Sequence, residues 1–160
     1  METKGTDKPF RKGAVTIVID ENSNFLIVQK NNYKDNEWVF LGGGREDNET
    51  LEQNIYRELK EEIGAEENEF ELVGVSAHKI EYDYPEDTVM KIHNGKYRGQ
   101  SYDQVVLRFL GDKSKLVFTP LEFKKHNWVQ GKDLQTYLVF PNQYENNIKA
   151  IKELLPDVID

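Results

Sequence analysis

Apolar residues recur at every fourth position in one stretch of the chain, at Leu51, Ile55, Leu59 and Ile63. This spacing places them on one face of an α-helix and predicts a helix over Thr50–Ile63 that packs against a core. Its first turn fits a capping box, with Thr50 as the N-cap and Gln53 reaching back to it. Gly64 follows as a natural C-cap glycine.

Shorter apolar runs bounded by turn residues predict strands near Ala14–Ile19, Phe25–Gln29, Trp38–Leu41, Phe70–Lys79, Gln104–Leu110, Leu116–Phe118 and Asn127–Val129. The Asp- and Asn-rich segment Asp20–Asn24 predicts a hairpin turn between the first two strands. Further helices are predicted over Tyr144–Leu155 and, as a short piece, near Gly131–Asp133. Strands mixed with a few helices indicate an α/β protein whose sheet is covered on both faces.

The length of 160 residues fits a single domain over residues 1–160, with the polar segment 1–11 as a flexible N-terminal arm. The chain has no cysteine, so disulfides and thiolate metal sites are excluded and a reducing compartment is natural. The first residues lack the apolar core of a signal peptide, and no segment approaches the ~20 apolar residues of a membrane span. We therefore expect a cytoplasmic protein that does not engage membranes.

The formal net charge is −8, which argues against a broad basic surface for nucleic acid and in particular against DNA binding. It does not exclude a phosphate ligand, because bound metal ions can supply local positive charge.

Three glutamates crowd the end of the predicted helix. Glu58 and Glu62 are four residues apart and share a face, and Glu61 lies beside them. Like charges at this spacing destabilise a helix by roughly 0.2–0.5 kcal/mol per pair. A hard cation such as Mg²⁺ between them would explain the arrangement. The alternative for the helix by itself is a solvated acidic face, and the preceding glycines 42–44 alone would indicate only a tight turn.

The region as a whole resembles the signature of the Nudix hydrolases. That signature is Gly-x5-Glu-x7-Arg-Glu-U-x-Glu-Glu-x-Gly-U, where x is any residue and U is a bulky aliphatic residue. The fixed positions are matched by Gly43, Glu49, Arg57, Glu58, Leu59, Glu61, Glu62 and Gly64. Ala65 departs from the bulky aliphatic residue that usually follows, and Leu41 stands where many members have proline. The resemblance implies an α/β/α sandwich with a mixed β-sheet.

For the site, the resemblance implies one to three Mg²⁺ ions, with Mn²⁺ as the alternative metal. The metal ligands would be Glu58, Glu61, Glu62, Glu122 and the backbone carbonyl of Gly42. Arg57 would orient the glutamates through a salt bridge to Glu49. Relatives differ in the residue that serves as general base, and here Glu61 and Glu122 are both candidates.

Later segments resemble one branch of the family, the diadenosine-polyphosphate hydrolases and RNA 5′-pyrophosphohydrolases. The matching segments are Glu81–Pro85, Lys96–Gln100, and Thr119–Phe123 followed by Trp128. Two departures stand out: Leu121 is inserted before Glu122, and Gly99-Gln100 is not followed by the tryptophan that relatives have.

Residues expected to contact substrate are Gly43, Gly44, Lys30, Tyr82, Tyr84, Arg98 and Gln100. Tyr82, Tyr84 and Tyr102 are candidates to stack a base, although aromatic residues in strands are more often part of a core. For the cations the alternative is a solvated surface position.

The function that the resemblance implies is Mg²⁺-dependent hydrolysis of a phosphoanhydride bond in a nucleoside diphosphate linked to another moiety, a dinucleoside polyphosphate or a nucleotide. Two alternatives remain: an RNA 5′-pyrophosphohydrolase, whose partner is an RNA 5′ end, and a non-catalytic module that binds nucleotides. The complete set of carboxylates favours the enzyme, because a binding module would be free to lose them.

Overall fold

The computed structural model describes residues 7–158. In this part of the chain, strands and helices alternate in the order β1 (Phe10–Ile19), β2 (Phe25–Lys30), β3 (Leu41–Gly44), α1 (Leu51–Ile63), β4 (Phe70–Val75), β5 (Ile80–Asp83), β6 (Gly99–Phe109), β7 (Phe123–Val129), α2 (Leu134–Tyr137) and α3 (Gln143–Leu154). Within residues 7–158 no helix has the length and apolar character needed to cross a lipid bilayer.

The strands of residues 7–158 form one mixed sheet in which β1 is central. The order across the sheet is β4-β6-β1-β2-β7, with β3 also paired to β1 and β5 also paired to β6. The β1–β6 pair is parallel and runs from Phe10 beside Gly99 to Ile19 beside Arg108, whereas the other pairs are antiparallel. The predicted mixed sheet is confirmed.

Helices cover both faces of this sheet, as expected for an α/β/α sandwich. On one face, Ile55, Leu59 and Ile63 of α1 pack against Ala14, Val18, Leu26, Val28, Val105 and Leu107. On the other, Leu134, Ala150 and Ile151 from α2 and α3 pack against Ile17, Ile19, Phe25, Ile27 and Val106. All of these side chains are buried, so the sheet separates two apolar cores.

The predicted ends of α1 are confirmed. The Thr50 hydroxyl accepts a hydrogen bond from the Gln53 backbone N–H at 3.1 Å, and the Gln53 side chain accepts one from the Thr50 N–H at 2.9 Å. Gly64 ends the helix in the left-handed conformation, with φ 68°. The last helix is also confirmed to within a residue at each end, and the turn near Gly131–Asp133 is a 3-10 turn that leads into α2.

The turn predicted over Asp20–Asn24 is confirmed as well. The Asp20 carboxylate accepts hydrogen bonds from the backbone N–H groups of Asn22 and Asn24, at 2.9 and 2.8 Å. Side-chain acceptors of this kind are the physical reason why Asp and Asn favour turns.

The strand predicted over Trp38–Leu41 is wrong in position. Residues 38–40 make only an isolated bridge, Val39 to Val28, and the strand is the following Leu41–Gly44. This strand is composed largely of glycine, which has a low strand propensity, so the sequence pattern does not predict it. The strand forms because it pairs with residues 13–16 of β1.

The strand predicted over Leu116–Phe118 is also wrong. This segment is irregular, and its backbone instead caps the end of α1: the Val117 N–H donates to Ile63 O at 3.0 Å, and the Thr119 N–H donates to Glu62 O at 2.9 Å. Free carbonyls at a helix C-terminus need such partners.

The strand predicted over Phe70–Lys79 is too long: β4 ends at Val75, and β5 begins at Ile80, beyond the predicted range. Between the two strands the Ser76 N–H still donates to the Gln104 carbonyl of β6, whereas the His78 carbonyl accepts from the Gln104 side chain. Residues 76–79 therefore leave the regular strand pairing.

Strands β1, β6 and β7 begin earlier than their apolar patterns indicate. Of the segment 1–11 expected to be a flexible arm, residues 1–6 lie outside the described residues, whereas Phe10 and Arg11 belong to β1. Pairing between β1 and β6 gives strand structure to residues at the start of both strands, although their side chains are too polar to predict a strand.

Candidate active site

Helix α1 and the glycine strand β3 bring two carboxylates together. Glu58 and Glu62 lie on successive turns of α1, and the side chain of Glu58 rests so close to Gly43 that a methyl group there would collide with it. Glu62 is only 2 % exposed. Burial, the adjacent Glu58 carboxylate and the charge of Glu122 raise the pKa of Glu62 to about 10, while the Gly42 N–H opposes the shift.

Glu62, unlike Glu58, has no cationic partner within residues 7–158. Oε1 of Glu62 is buried without a hydrogen-bond partner among residues 7–158. Leaving a buried carboxylate oxygen unpaired is costly, and a cation is the usual remedy. The atoms that the two carboxylates offer to a metal are oxygens, the ligand type that Mg²⁺ and similar hard divalent cations prefer. The residues present therefore fit a divalent metal ion.

Arg57 is fixed by Glu49 in a two-pronged ion pair. Its Nε lies 2.6 Å from Glu49 Oε2, and its Nη2 lies 2.9 Å from Glu49 Oε1. Nη2 also donates to the Gly44 carbonyl at 2.9 Å, and Nη1 lies 3.1 Å from Glu58 Oε1. The guanidinium thus ties the loop, the glycine strand and a carboxylate of the pair to one another. Its hydrogen bonds also lower the pKa of Glu49.

The other two predicted carboxylates lie at the edge of this pair. Glu61 is 59 % exposed at its side chain, with Oε2 3.3 Å from Arg57 Nη1. Glu122 is half-buried; burial raises its pKa, the charge of Lys30 opposes the shift, and Glu58 and Glu61 add to it. As the side chains stand, no three acidic or histidine groups of residues 7–158 are gathered closely enough to form a complete metal cage. The structure therefore brings Glu58 and Glu62 together and leaves Glu61 and Glu122 beside them.

A cavity of about 190 Å³ opens next to the pair. Its wall contains Gly42 and Gly43, the carboxylate-bearing residues Glu62 and Glu122, and the cation Lys30. The contact of Gly42 with Glu62 is made by its N–H, and a metal-binding role for its carbonyl remains a prediction. Carboxylates and a lysine around one cavity suit a substrate that carries phosphate groups together with a metal ion.

A second cavity of about 520 Å³ adjoins the first and shares Val15, Val39, Phe40 and Tyr102 with it. Tyr82 lines it from β5, and Phe140 lines it from the loop before α3. This size and the aromatic lining fit a nucleoside.

Three of the expected substrate contacts are engaged elsewhere in the structure. Gln100 donates to the Tyr84 hydroxyl at 3.0 Å and accepts from the Tyr82 hydroxyl at 3.1 Å. Arg98 pairs with Asp83 at 2.6 Å. Tyr84, Arg98 and Gln100 line neither cavity, so their predicted contact with substrate stays a prediction, whereas Lys30, Gly43 and Tyr82 do line them. Gly44 lies in β3 directly after Gly43.

Sequence reasoning missed Arg11. Its guanidinium lies over Gly44, so close that a methyl group on Gly44 would collide with it. Within residues 7–158 Arg11 has no carboxylate within ion-pairing distance, unlike the Arg57 that shares its neighbourhood. A signal was available, because Arg11 stands two residues before Gly13, and Gly13 pairs with Gly44. That pairing becomes visible only once β3 is placed correctly.

Comparison with known proteins identifies the family and agrees with the fold. The family model of the NUDIX domain matches residues 9–153. An RNA pyrophosphohydrolase of Novosphingobium aromaticivorans is 27 % identical over 135 residues, which cover 82 % of this chain and 84 % of that protein.

Two solved structures share the fold at low sequence identity. The E. coli dihydroneopterin triphosphate pyrophosphohydrolase superposes with a TM-score of 0.69 at 16 % identity, covering 93 % of this chain and 99 % of that one. A C. elegans Ap4A hydrolase superposes with a TM-score of 0.64 at 17 % identity, covering 87 % and 93 %. These relatives are named for three different substrates, so the fold alone does not choose among them.

Proposed function

Because the chain belongs to the Nudix hydrolase family, we propose that it is a Mg²⁺-dependent pyrophosphohydrolase that acts on the 5′-triphosphate end of RNA. The observation that carries the proposal is the Glu58–Glu62 pair beside the glycine strand, in which Oε1 of Glu62 is buried and unpaired. A helix built for stability alone would not bury one carboxylate next to another.

The proposed chemistry divides roles among the residues of the site. Glu58 and Glu62 would hold the divalent cation, which would neutralise phosphate charge and make the attacking water more acidic. Lys30, in the wall of the smaller cavity, contacts the phosphates directly. Arg11, over Gly44, is placed to contact the same chain of phosphates. Arg57 positions Glu58 and does not itself meet substrate.

Of the two candidates for the general base, Glu122 is favoured over Glu61. Glu122 lines the cavity, and burial raises its pKa, which is the direction that strengthens a carboxylate as a proton acceptor. Glu61 is largely exposed and held by Arg57. In this proposal the Gly42 carbonyl and the Glu61 carboxylate would be further ligands of the metal.

The larger cavity supports a nucleoside next to the phosphates. Tyr82 and Phe140 line this cavity and offer aromatic surface for a base. Choosing RNA rests on the sequence relatives, which are RNA pyrophosphohydrolases by name.

A dinucleoside polyphosphate is the second candidate, because the volume of about 520 Å³ is large enough for a second nucleoside. The lack of cysteine is compatible with the cytoplasm, where either substrate would be met.

The discriminating experiment compares kcat/KM for short triphosphate-ended RNA, diadenosine tetraphosphate, ADP-ribose and the nucleoside triphosphates, each with Mg²⁺, Mn²⁺ or chelator. The proposal expects metal-dependent release of pyrophosphate or phosphate from the RNA as the fastest reaction. Faster cleavage of diadenosine tetraphosphate would select the second candidate. Nucleotide binding without cleavage of any substrate would indicate a non-catalytic module.

A further inference from the structure

A groove rich in basic and aromatic residues is formed by the segments that precede and follow Glu122 in the chain. It has a volume of about 320 Å³ and is lined by Leu116, Phe118, Pro120, Phe123, Lys124, Lys125 and His126. No acidic side chain lines it, although the whole chain carries a formal net charge of −8. Cationic and aromatic groups are thus concentrated where the rest of the protein is acidic.

The groove is a neighbour of the cavity of about 190 Å³ beside Glu62, here termed the catalytic cavity. Phe123 is buried and lines both spaces. Phe123 also pairs across the sheet with Lys30, which lines the catalytic cavity. A chain that leaves the cavity beside Phe123 therefore has the groove as an adjacent surface.

Aromatic stacking gives the groove a second feature that suits nucleic acid. The His126 and Phe118 rings are stacked with centroids 3.8 Å apart and planes 2° from parallel. Phe118 is half-buried, whereas His126 is exposed, so the stack continues outward to a surface ring. Bases stack on such rings with little dependence on sequence.

Lys124 and Lys125 differ in the contacts that they make within the protein. Lys124 donates to the Tyr33 carbonyl at 2.6 Å and lies 3.6 Å from the exposed Asp35, so it is partly committed to the fold. Lys125 is exposed and has no ion-pair partner within residues 7–158. Lys125 is therefore the charge available to an external anion.

Building on the proposed function, we propose that this groove binds the single-stranded RNA segment that follows the 5′-terminal nucleotides, with Lys125 contacting a backbone phosphate and His126 stacking a base. The groove thus favours RNA over a small nucleotide as substrate, since only RNA extends beyond the catalytic cavity.

A purely structural role accounts for part of these features only. Strand β7 is an edge of the sheet, and lysines on edge strands discourage pairing with other chains. That role requires neither the stacked rings nor a groove next to the catalytic cavity.

The test compares a triphosphate-ended dinucleotide with a triphosphate-ended single strand of about 12 nucleotides in wild type, Lys125→Glu and Lys149→Glu. Lys149 is exposed on α3, so its variant matches the change in net charge at a distant site. We expect a KM about tenfold lower for the longer RNA, an advantage that salt weakens. Lys125→Glu should remove this advantage while leaving cleavage of the dinucleotide unchanged, and Lys149→Glu should keep it.

The inference is overturned if wild type shows no length advantage or if both variants lose it equally. If wild type cleaves no RNA, the proposed function fails. The groove is then tested by itself, by measuring with fluorescence anisotropy whether the protein binds a 5′-monophosphate strand of the same length. Salt-dependent binding that Lys125→Glu weakens and Lys149→Glu preserves would support the groove by itself. Absence of RNA binding would overturn it and indicate a surface for another partner.

Discussion

The carboxylate of Glu62 is buried one helical turn from that of Glu58, with its Oε1 unpaired and its pKa raised to about 10. Burial and the neighbouring Glu58 carboxylate disfavour the charged form of Glu62, and a cation bound beside both carboxylates would favour it. Without metal, the charged pair should therefore destabilise the fold.

The first prediction concerns pH in the absence of metal. The pKa of Glu62 is about 10 in the folded state and near 4.5 in the unfolded state, so between these values the unfolded chain binds fewer protons. Stability of the chelator-treated protein should thus fall as pH rises from about 4.5 towards 10. Denaturant unfolding at a series of pH values measures this.

Glu62→Gln supplies the control for that measurement. Glutamine cannot ionise, so the variant should be more stable than wild type by roughly 1–3 kcal/mol at neutral pH without metal, and its pH dependence should be flatter. An unchanged pH profile in the variant would show that another group dominates the titration.

The second prediction concerns metal linkage. A ligand that binds only the folded state raises its stability in proportion to the logarithm of ligand concentration. Mg²⁺ should therefore raise the melting temperature of wild type and should have a much smaller effect on Glu62→Gln. Ca²⁺ and Mn²⁺ titrations rank the preference of the site, and equal shifts in wild type and variant would place the metal elsewhere.

The third prediction uses two neighbouring glycines that face different groups. Neither Gly43 nor Gly44 has positive φ, so alanine is compatible with the backbone at both positions. At Gly43 the new methyl group displaces the Glu58 carboxylate, and kcat should fall by about 100-fold with weaker metal binding. At Gly44 it displaces the Arg11 guanidinium, and KM should rise by up to about tenfold with metal binding preserved.

Steady-state kinetics together with Mg²⁺-induced melting shifts separates these two outcomes. Loss of metal binding in Gly44→Ala, or normal kcat in Gly43→Ala, would contradict the assignment of Glu58 and Arg11.

The fourth prediction concerns Arg57 as a positioning residue. A lysine at position 57 would keep the positive charge. It could not make the two-pronged contact with Glu49 and also donate to the Gly44 carbonyl. Arg57→Lys should lower kcat by roughly 10- to 100-fold with little change in KM. A selective rise in KM would indicate instead that Arg57 contacts substrate.

The same ion pair predicts an acid limit. Because Arg57 lowers the pKa of Glu49, the pair stabilises the fold above the ordinary carboxyl pKa near 4.5. That contribution is lost as pH falls through the lowered value. In Glu49→Gln, the acid unfolding curve should be less steep than in wild type.

The elements that sequence predicted well are those fixed by local interactions. The capping box of Thr50 and Gln53, the Gly64 C-cap and the apolar stripe of α1 act within a few residues, so periodicity and cap chemistry reveal them. The turn at Asp20 follows from the same kind of local hydrogen bonding.

The errors arose where partners distant in sequence decide the structure. The glycines of β3 form a strand only because β1 lies beside them, and the predicted strand at Leu116–Phe118 gave way to capping of α1 by the chain after Leu116. The same limit applies to the site. The spacing of Glu58 and Glu62 was readable, but the contact of Arg11 with Gly44 depends on strand pairing and was not.

The most direct test of the account is Mg²⁺-dependent release of pyrophosphate from triphosphate-ended RNA by wild type, Glu62→Gln and Glu52→Gln. Glu52 is an exposed glutamate on the same helix and serves as the matched control. The account predicts that Glu62→Gln lowers turnover by at least about 100-fold while remaining folded, and that Glu52→Gln retains wild-type turnover. Normal turnover in Glu62→Gln would contradict the proposed metal site.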